Sequence, residues 1–282
     1  MPVIVPETVD EASAALAAHP GAVVLAGGTD LMVEVNDGRR SPPAVVAIDR
    51  IPELRAWQRR GATLRLGAAV TYRELLGAEL AAAVPALAAA ARTVGSPQIR
   101  NAGTVGGNIA TASPAGDTLP VLIALEAMVE VAGAGGARRL LPLTEVIVGP
   151  KRTSLGPGEI VTAVEIPVLA GRQEYLKVGV RNAMVIALAS VAVIADPERR
   201  SLRCGLGSVG PGPLRAPEAE GWLAGRVDWD AGRAPDPADL RHFGELVAAA
   251  ARPIDDHRST AAYRRHAVGV LAARGAARVL AA

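Results

Sequence analysis

The sequence contains a single cysteine, Cys204, among 282 residues. An internal disulfide, a zinc knuckle and a cysteine-ligated iron–sulfur cluster each need several thiolates, so this chain alone can form none of them. The 4 histidines include no pair at metal-ligand spacing near a carboxylate, and we assign no metal site. Any redox chemistry on this chain must therefore use a bound organic cofactor.

Aromatic residues and unbalanced charge are also scarce. Aromatics make up 2% of the chain, which offers little stacking surface for nucleic acid. The 30 basic and 28 acidic side chains are dispersed and leave a net charge of +2, so neither nucleic acid nor an anionic membrane is an expected partner. No apolar run reaches the roughly 18 residues of a membrane span, and the first residues do not resemble a secretory signal. We expect a cytoplasmic protein.

What the chain does contain is an alternation of short strands and helices in its first half. Apolar runs predict strands at 22–26, 45–49 and 63–69. Capping boxes at Thr8 with Glu11 and at Thr71 with Glu74 predict helix starts. We predict a first domain over 1–169, with subdomains at about 1–58 and 59–169, and a second domain over 170–282.

Two further helices are predicted within the first domain, and two within the second. The alanine-rich stretch from Glu79 to Val94 reads as one helix, and Ser113-Pro114 is typical of a helix start, with the helix running to about Met128. Later helices are expected near 237–251 and 260–277. The polar stretch from Asp228 to Pro237 is typical of a flexible insertion.

Two glycine clusters provide the chemistry. Gly27-Gly28 follows a predicted strand, and Gly103-Thr104-Val105-Gly106-Gly107-Asn108 follows a helix. A diphosphate needs main-chain N–H donors at close range, and glycine lets the backbone approach closely at positive φ. We predict that the amides of 27–28 and 106–107 converge on one diphosphate. Asp117 is placed to accept hydrogen bonds from a ribose diol.

The residues alone leave a second interpretation open. Neither cluster continues into Lys-Ser or Lys-Thr as in nucleotide triphosphatases, and neither has the spaced glycines of a Rossmann domain. A glycine pair at a strand end is commonly only a tight turn, and Ser113 to Asp117 can be only a helix cap. A nucleotide site and a set of structural turns both fit.

The motifs resemble one family along almost the whole chain. The stretches Leu25 to Leu31 and Gln98 to Asn108 resemble the FAD-binding subunit of the xanthine dehydrogenase and carbon monoxide dehydrogenase family of molybdenum hydroxylases. The resemblance continues through Ala112 to Asp117 and Leu155 to Val161. It ends with Lys177, Arg181, Asp256-His257-Arg258 and Tyr263-Arg264.

The resemblance implies an α+β fold of the vanillyl-alcohol-oxidase-like (PCMH-type) class. Two α/β subdomains would hold a non-covalent FAD, and a C-terminal domain of antiparallel strands and helices would follow. No catalytic side chain is implied, since the protein's part is to bind and orient the flavin. The implied cofactor-binding residues are Ala26, Gly27, Gly28, Thr29, Asp30, Leu31, Thr104, Gly106, Gly107, Asn108, Asp117, Ile160, Val161 and Lys177.

The implied function is an electron-transfer step within a larger enzyme. An iron–sulfur subunit with two [2Fe–2S] clusters would supply electrons from a large molybdopterin-binding subunit, in a dimer of heterotrimers. The acceptor stays open among NAD, oxygen, a quinone and a carrier, because Asn36 and Met184 or Val185 depart from the family pattern. Two alternatives are a self-contained FAD oxidase of the same fold and a non-catalytic assembly module.

Overall fold

The computed structural model describes residues 1–230 and 235–281, so residues 231–234 of the predicted insertion and Ala282 lie outside the described part. The chain forms two compact units. The first comprises Met1–Leu75, Ser96–Ala112 and Ala127–Pro167, and the second comprises Leu76–Gly95, Ser113–Glu126 and Val168–Ala282.

The first unit is built on parallel and antiparallel sheets. Its strands are β1 (Val3–Ile4), β2 (Val23–Leu25), β3 (Val45–Ala47), β4 (Trp57–Arg60), β5 (Thr63–Gly67), β6 (Met128–Ala132), β7 (Arg138–Pro142), β8 (Ile147–Gly149), β9 (Arg152–Thr153) and β10 (Ile160–Pro167). Its α-helices are α1 (Val9–Ala18), α2 (Leu31–Asn36), α3 (Pro52–Arg55), α4 (Tyr72–Leu75), α7 (Pro97–Ala102), α8 (Val105–Thr111) and α10 (Leu143–Val146).

Three sheets organise these strands. A parallel sheet has the order β1-β3-β2, an antiparallel sheet has the order β4-β5-β10-β6-β7, and β8 pairs with β9. A buried core joins α1, β3 and the segment that follows β3 to the start of β10, through Ala12, Val46, Leu54 and Ile160. This core holds the C-terminal end of β2 near the N-terminal end of β10. The candidate site lies at these two strand ends.

The second unit is an antiparallel sheet with helices. Its strands are β11 (Gln173–Val178), β12 (Ala189–Asp196), β13 (Ser201–Gly207) and β14 (Leu214–Arg215), in that order. Its helices are α5 (Ala78–Ala83), α6 (Pro85–Thr93), α9 (Leu119–Ala124), α11 (Pro217–Ala224), α12 (Pro237–Ala250) and α13 (Ala261–Leu280). Alternate residues of β12 and β13, such as Val193 and Cys204, pack with Phe243 and Val268 of the long helices in one apolar core.

Two predicted helices are wrong in extent. The helix predicted over 79–94 is two helices, because Pro85 lacks an N–H and forces Val84 out of the helical region, to φ −138°. Ser113 does not start a helix, because its hydroxyl accepts a hydrogen bond from the Ala115 N–H in a local turn at 3.3 Å. The helix in that region begins only at Leu119.

The two units divide the chain differently from the predicted domains. The segments Leu76–Gly95 and Ser113–Glu126 group with residues after 167 and not with the rest of 1–169. The two main sheets of the first unit nevertheless separate near residue 50 in the sequence, close to the predicted subdomain limit. Among the described residues, no helix combines the length and the apolar character needed to cross a bilayer.

Candidate FAD site

A cavity of about 590 Å³ opens in the first unit. Its volume is in the range of cofactor and small-molecule sites. Twelve of the fourteen predicted cofactor-binding residues line it: Ala26, Gly27, Gly28, Thr29, Asp30, Leu31, Thr104, Gly106, Gly107, Asn108, Ile160 and Val161. The structure thus brings together three segments that are far apart in sequence.

The first glycine cluster connects β2 to α2 along the cavity wall. Gly28 has φ +70°, a conformation that favours glycine, and the chain turns there into the helix. The N–H groups of Gly27 through Leu31 donate no hydrogen bond to any residue of 1–230 or 235–281. Backbone N–H groups in a partly buried place need an acceptor. This run of donors therefore suits an anion with several oxygens, such as a diphosphate.

Glycine is also needed where the clusters and a neighbouring strand end touch. A Cβ at Gly27 would lie 1.7 Å from the carbonyl oxygen of Ala102, just before the second cluster. A Cβ at Gly106 would lie 2.5 Å from the Cβ of Ala68, which follows β5. Neither position can accept a side chain without moving backbone. Gly27 thus lets the first cluster approach the backbone at Ala102, and Gly106 lets the second cluster approach the strand end at Ala68.

The N–H groups of Gly106 and Gly107 in the second cluster already donate hydrogen bonds within the protein. The Gly106 N–H donates to the Ala68 carbonyl at 2.8 Å, and the Gly107 N–H donates to Thr104 Oγ1 at 3.0 Å. Thr104 is the N-cap of α8, so this is an ordinary helix start. The prediction that the amides of 106 and 107 donate to a diphosphate is therefore wrong. The second cluster forms a glycine wall, and the first cluster carries the free donors.

Another part of the cavity lining is apolar. Ile160 and Val161 begin β10, are 2% and 6% exposed, and line the cavity. Their side chains can exclude water from a flat ring system placed beside them. Beyond Gly107 the space is open, since a Cβ there would meet only Thr104 Oγ1, at 2.8 Å.

Sequence reasoning predicted Asp30 as a site residue but missed the other charged residues of the cavity lining, which are Glu34, Arg40, Lys151 and Glu159. Lys151 lies in the turn between β8 and β9, and its Nζ is 2.8 Å from Oε1 of Glu34 on α2. Arg40 lies 3.5 Å from the other oxygen of Glu34. The hydrogen bond and charge of Lys151 hold the pKa of Glu34 below its usual range. Gly149-Pro150-Lys151 reads only as a turn, so no local pattern points to this contact.

Asp117 and Lys177 are not among the residues that line the cavity. Both belong to the second unit, where Lys177 Nζ lies 2.7 Å from Oδ2 of Asp117. The Tyr175 hydroxyl donates to Oδ1 of Asp117 at 2.9 Å, and Lys177 also donates to the Thr93 carbonyl. Burial raises the pKa of Asp117, and the hydrogen bonds and charge of its partners offset only part of this effect. Their role in cofactor binding stays a prediction.

Comparisons with known protein families match both parts of the chain. A model described as the FAD-binding domain in molybdopterin dehydrogenase matches residues 1–169. A model described as the CO dehydrogenase flavoprotein C-terminal domain matches residues 174–279. The chain belongs to the FAD-binding subunits of the molybdenum hydroxylases.

Individual members of this family are similar over most of the chain. The glyceraldehyde dehydrogenase medium chain of Sulfolobus acidocaldarius is 34% identical over 94% of this chain and 93% of the relative. The xanthine dehydrogenase FAD-binding subunit of Escherichia coli O157:H7 is 30% identical over 76% of this chain and 75% of the relative. A crystal structure of the Cu,Mo-CO dehydrogenase superposes with a TM-score of 0.90 at 29% identity, covering 99% of this chain and 97% of that one.

Family membership and geometry agree on the cofactor. The chain is an FAD-binding subunit of an oxidoreductase, and its fold is the mixed α/β fold of the CO dehydrogenase medium chain. The cavity fits such a dinucleotide, because five consecutive unpaired N–H groups lie on one wall and apolar side chains of β10 lie on another. Among the described residues, no group of three or more histidine, cysteine or acidic side chains is arranged to hold a metal.

Proposed function

We propose that the cavity binds FAD with its diphosphate on the main-chain N–H groups of Gly27 through Leu31. The observation that carries this proposal is that these donors have no acceptor among the described residues, although they line a cavity of cofactor size. Ile160 and Val161 would border the isoalloxazine. When bound, FAD supplies the ability to take up electrons one or two at a time and to release them to an acceptor.

The residues of this chain then have three tasks. The first glycine cluster binds the diphosphate, the glycine wall of Gly106 and Gly107 lets the dinucleotide approach the backbone, and the start of β10 excludes water from one side. None of these tasks requires a side chain that gives or takes a proton. The chain would thus bind and orient the cofactor, and the redox chemistry would come from the flavin itself.

We further propose that this subunit receives its electrons from a partner subunit with two [2Fe–2S] clusters, which a large molybdopterin-binding subunit reduces. Relatives named as medium chains or FAD-binding subunits support an assembly of this kind. The finer fold assignment to the PCMH type, the domain limits at 169 and 170, the dimer of heterotrimers and the cytoplasmic location belong to the same proposal. Co-expression with the neighbouring coding frames and size-exclusion chromatography would test the assembly, and recovery of this chain alone would contradict it.

Gly107→Leu tests the site itself. The added side chain would enter open cavity space, and only Thr104 Oγ1 would have to move. Purified wild-type chain should bind FAD with a stoichiometry near one, as measured by flavin absorbance after gel filtration. Gly107→Leu should lose this flavin, while its free energy of unfolding should fall by no more than about 1 kcal/mol, the contribution of the Thr104 side-chain cap that the new Cβ would displace.

Gly221→Leu is the matched control. It adds the same side chain to helix α11, at a position where a Cβ meets nothing within 4 Å. This variant should keep its flavin. Full flavin content in Gly107→Leu, or no flavin in the wild-type chain after FAD is supplied, would contradict the proposed site.

A further inference from the structure

The ionisable side chains around the cavity are poorly matched to a diphosphate. Those that line it are the carboxylates of Asp30, Glu34 and Glu159 and the cations of Arg40 and Lys151. A diphosphate adds two further negative charges to a place where acidic groups already outnumber basic ones. Like charges at short range in a partly buried site repel strongly. A cation that moves toward the diphosphate would therefore favour tight binding of the cofactor.

Two of the three carboxylates do not hold a cation of the cavity lining. Glu159 is bound instead by the guanidinium of Arg139 at 2.7 Å and by the Gly156 N–H at 2.7 Å. Neither of these groups is one of the two lining cations, Arg40 and Lys151. Asp30 makes no ion pair within 4.0 Å to a described residue. Both lining cations instead contact Glu34, Lys151 at 2.8 Å and Arg40 at 3.5 Å.

Glu34 stands next to the free N–H groups. Its own N–H donates to the Asp30 carbonyl at 3.3 Å, so its carboxylate is one helical turn from the donors that would bind the diphosphate. Lys151 contacts this carboxylate from the turn between β8 and β9. Its backbone is held by a hydrogen bond from its N–H to the Ala112 carbonyl at 2.9 Å, while its side chain is 62% exposed.

We propose that Lys151 is a cofactor-binding residue which exchanges Glu34 for the diphosphate, and that Glu34 is an internal competitor that holds the ammonium group until FAD arrives. The inference rests on the proposed function and adds a specific exchange of ion pairs to it. A diphosphate carries more charge than a carboxylate and offers more acceptor oxygens, so it wins the exchange. The exposed Lys151–Glu34 pair is weak and costs little to break.

The exchange predicts that substitutions of the two partners, Lys151 and Glu34, change the affinity for FAD in opposite directions. Lys151→Met removes the cation and should weaken FAD binding by roughly tenfold to a hundredfold, the factor a hydrogen bond to a charged group contributes. Glu34→Gln removes the competitor and one negative charge, so it should strengthen FAD binding by roughly threefold. The double variant should bind nearly as weakly as Lys151→Met, because the closer of the two cations held by Glu34 is gone and only Arg40, at 3.5 Å, is left to be released.

The neighbouring pair of Asp37 and Arg39 supplies matched controls. These side chains form an exposed ion pair at 2.7 Å at the end of α2 and do not line the cavity. Asp37→Asn removes one negative charge near α2, as Glu34→Gln does, and Arg39→Met removes one positive charge, as Lys151→Met does. Both should leave FAD affinity within roughly a factor of two of wild type if the effect belongs to the exchange and not to net charge.

The measurement is a titration of flavin-free full-length chain with FAD, followed by flavin fluorescence at two salt concentrations. Lys151→Arg, which keeps the charge, should restore most of the affinity and guards against a folding defect, which circular dichroism checks for each variant. Wild-type chain that binds no FAD would overturn both the proposed site and this inference. Normal wild-type binding with an unchanged Lys151→Met, or with Glu34→Gln weakened like Lys151→Met, would overturn the exchange alone.

Discussion

The buried pair of Lys177 and Asp117 provides a quantitative test of the energetics of the second unit. The two side chains are 7% and 9% exposed and lie 2.7 Å apart. Lys177→Met keeps most of the apolar stem but leaves an uncompensated carboxylate in the protein interior. Removing one partner of a buried ion pair lowers the free energy of unfolding by about 3–5 kcal/mol, and we expect a loss of this size for Lys177→Met at pH 7.

The loss should depend on pH with a definite sign. Burial already raises the pKa of Asp117, and without Lys177 the shift grows. A carboxyl whose pKa in the folded state lies above its unfolded value is stabilising below the unfolded value, and this contribution is lost as pH rises through the folded pKa. Each unit of pKa shift corresponds to about 1.36 kcal/mol, so lowering the pH from 7 to 5 should recover up to about 2.7 kcal/mol of the deficit.

Urea denaturation followed by circular dichroism at pH 5 and pH 7 measures the stability deficit at pH 7 and the part of it that is recovered at pH 5. The control is the double variant Lys177→Met with Asp117→Asn, which has no buried charge. Its stability should exceed that of Lys177→Met at pH 7, and its difference from wild type should change little with pH. An equal deficit for Lys177→Met at both pH values, or a double variant less stable than the single one, would refute the reasoning.

Three other predictions concern single positions. Gly27→Ala should lower the free energy of unfolding by at least about 2 kcal/mol in urea melts, because the added Cβ would lie 1.7 Å from a backbone oxygen; an unchanged stability would contradict the close contact. Arg264→Met should lower the free energy of unfolding by about 3 kcal/mol, since this arginine is 5% exposed and donates to the Leu188 carbonyl at 3.2 Å and to Asp256 at 2.8 Å. A loss under about 1 kcal/mol would argue against that hydrogen-bond network. Burial raises the pKa of the Cys204 thiol well above its usual value, so the native chain should resist iodoacetamide at pH 8 and react with it in urea, and rapid native alkylation would show that the thiol is accessible.

Local sequence signals predicted the ends of several elements well. The capping box at Thr71 forms reciprocally, with the Thr71 N–H 2.7 Å from the Glu74 carboxylate and the Glu74 N–H 3.2 Å from the Thr71 hydroxyl. The long C-terminal helix begins after Thr260, whose hydroxyl accepts from the Tyr263 N–H. These contacts join residues three apart, so the chain needs no tertiary information to make them.

Other features depend on partners far away in the sequence. The internal use of the Gly106 N–H requires Ala68, and the ion pair of Lys151 requires Glu34. The glycine spacing indicated that a backbone approach occurs, without indicating which of the two clusters keeps its donors free. That distinction is made by the helix cap at Thr104, which is itself a local signal. It predicts that the Gly107 N–H is occupied once the start of α8 is placed correctly.

The row of unpaired N–H groups from residue 27 to residue 31 also has a consequence for mutagenesis. A ligand held by peptide groups is insensitive to the identity of the side chains around it. Alanine replacements of Thr29 and Leu31, which lie outside the two glycines, would therefore pass over the recognition element and report these positions as tolerant. Thr29→Pro would expose it, because this change deletes one peptide hydrogen and leaves the charge of the cavity unchanged.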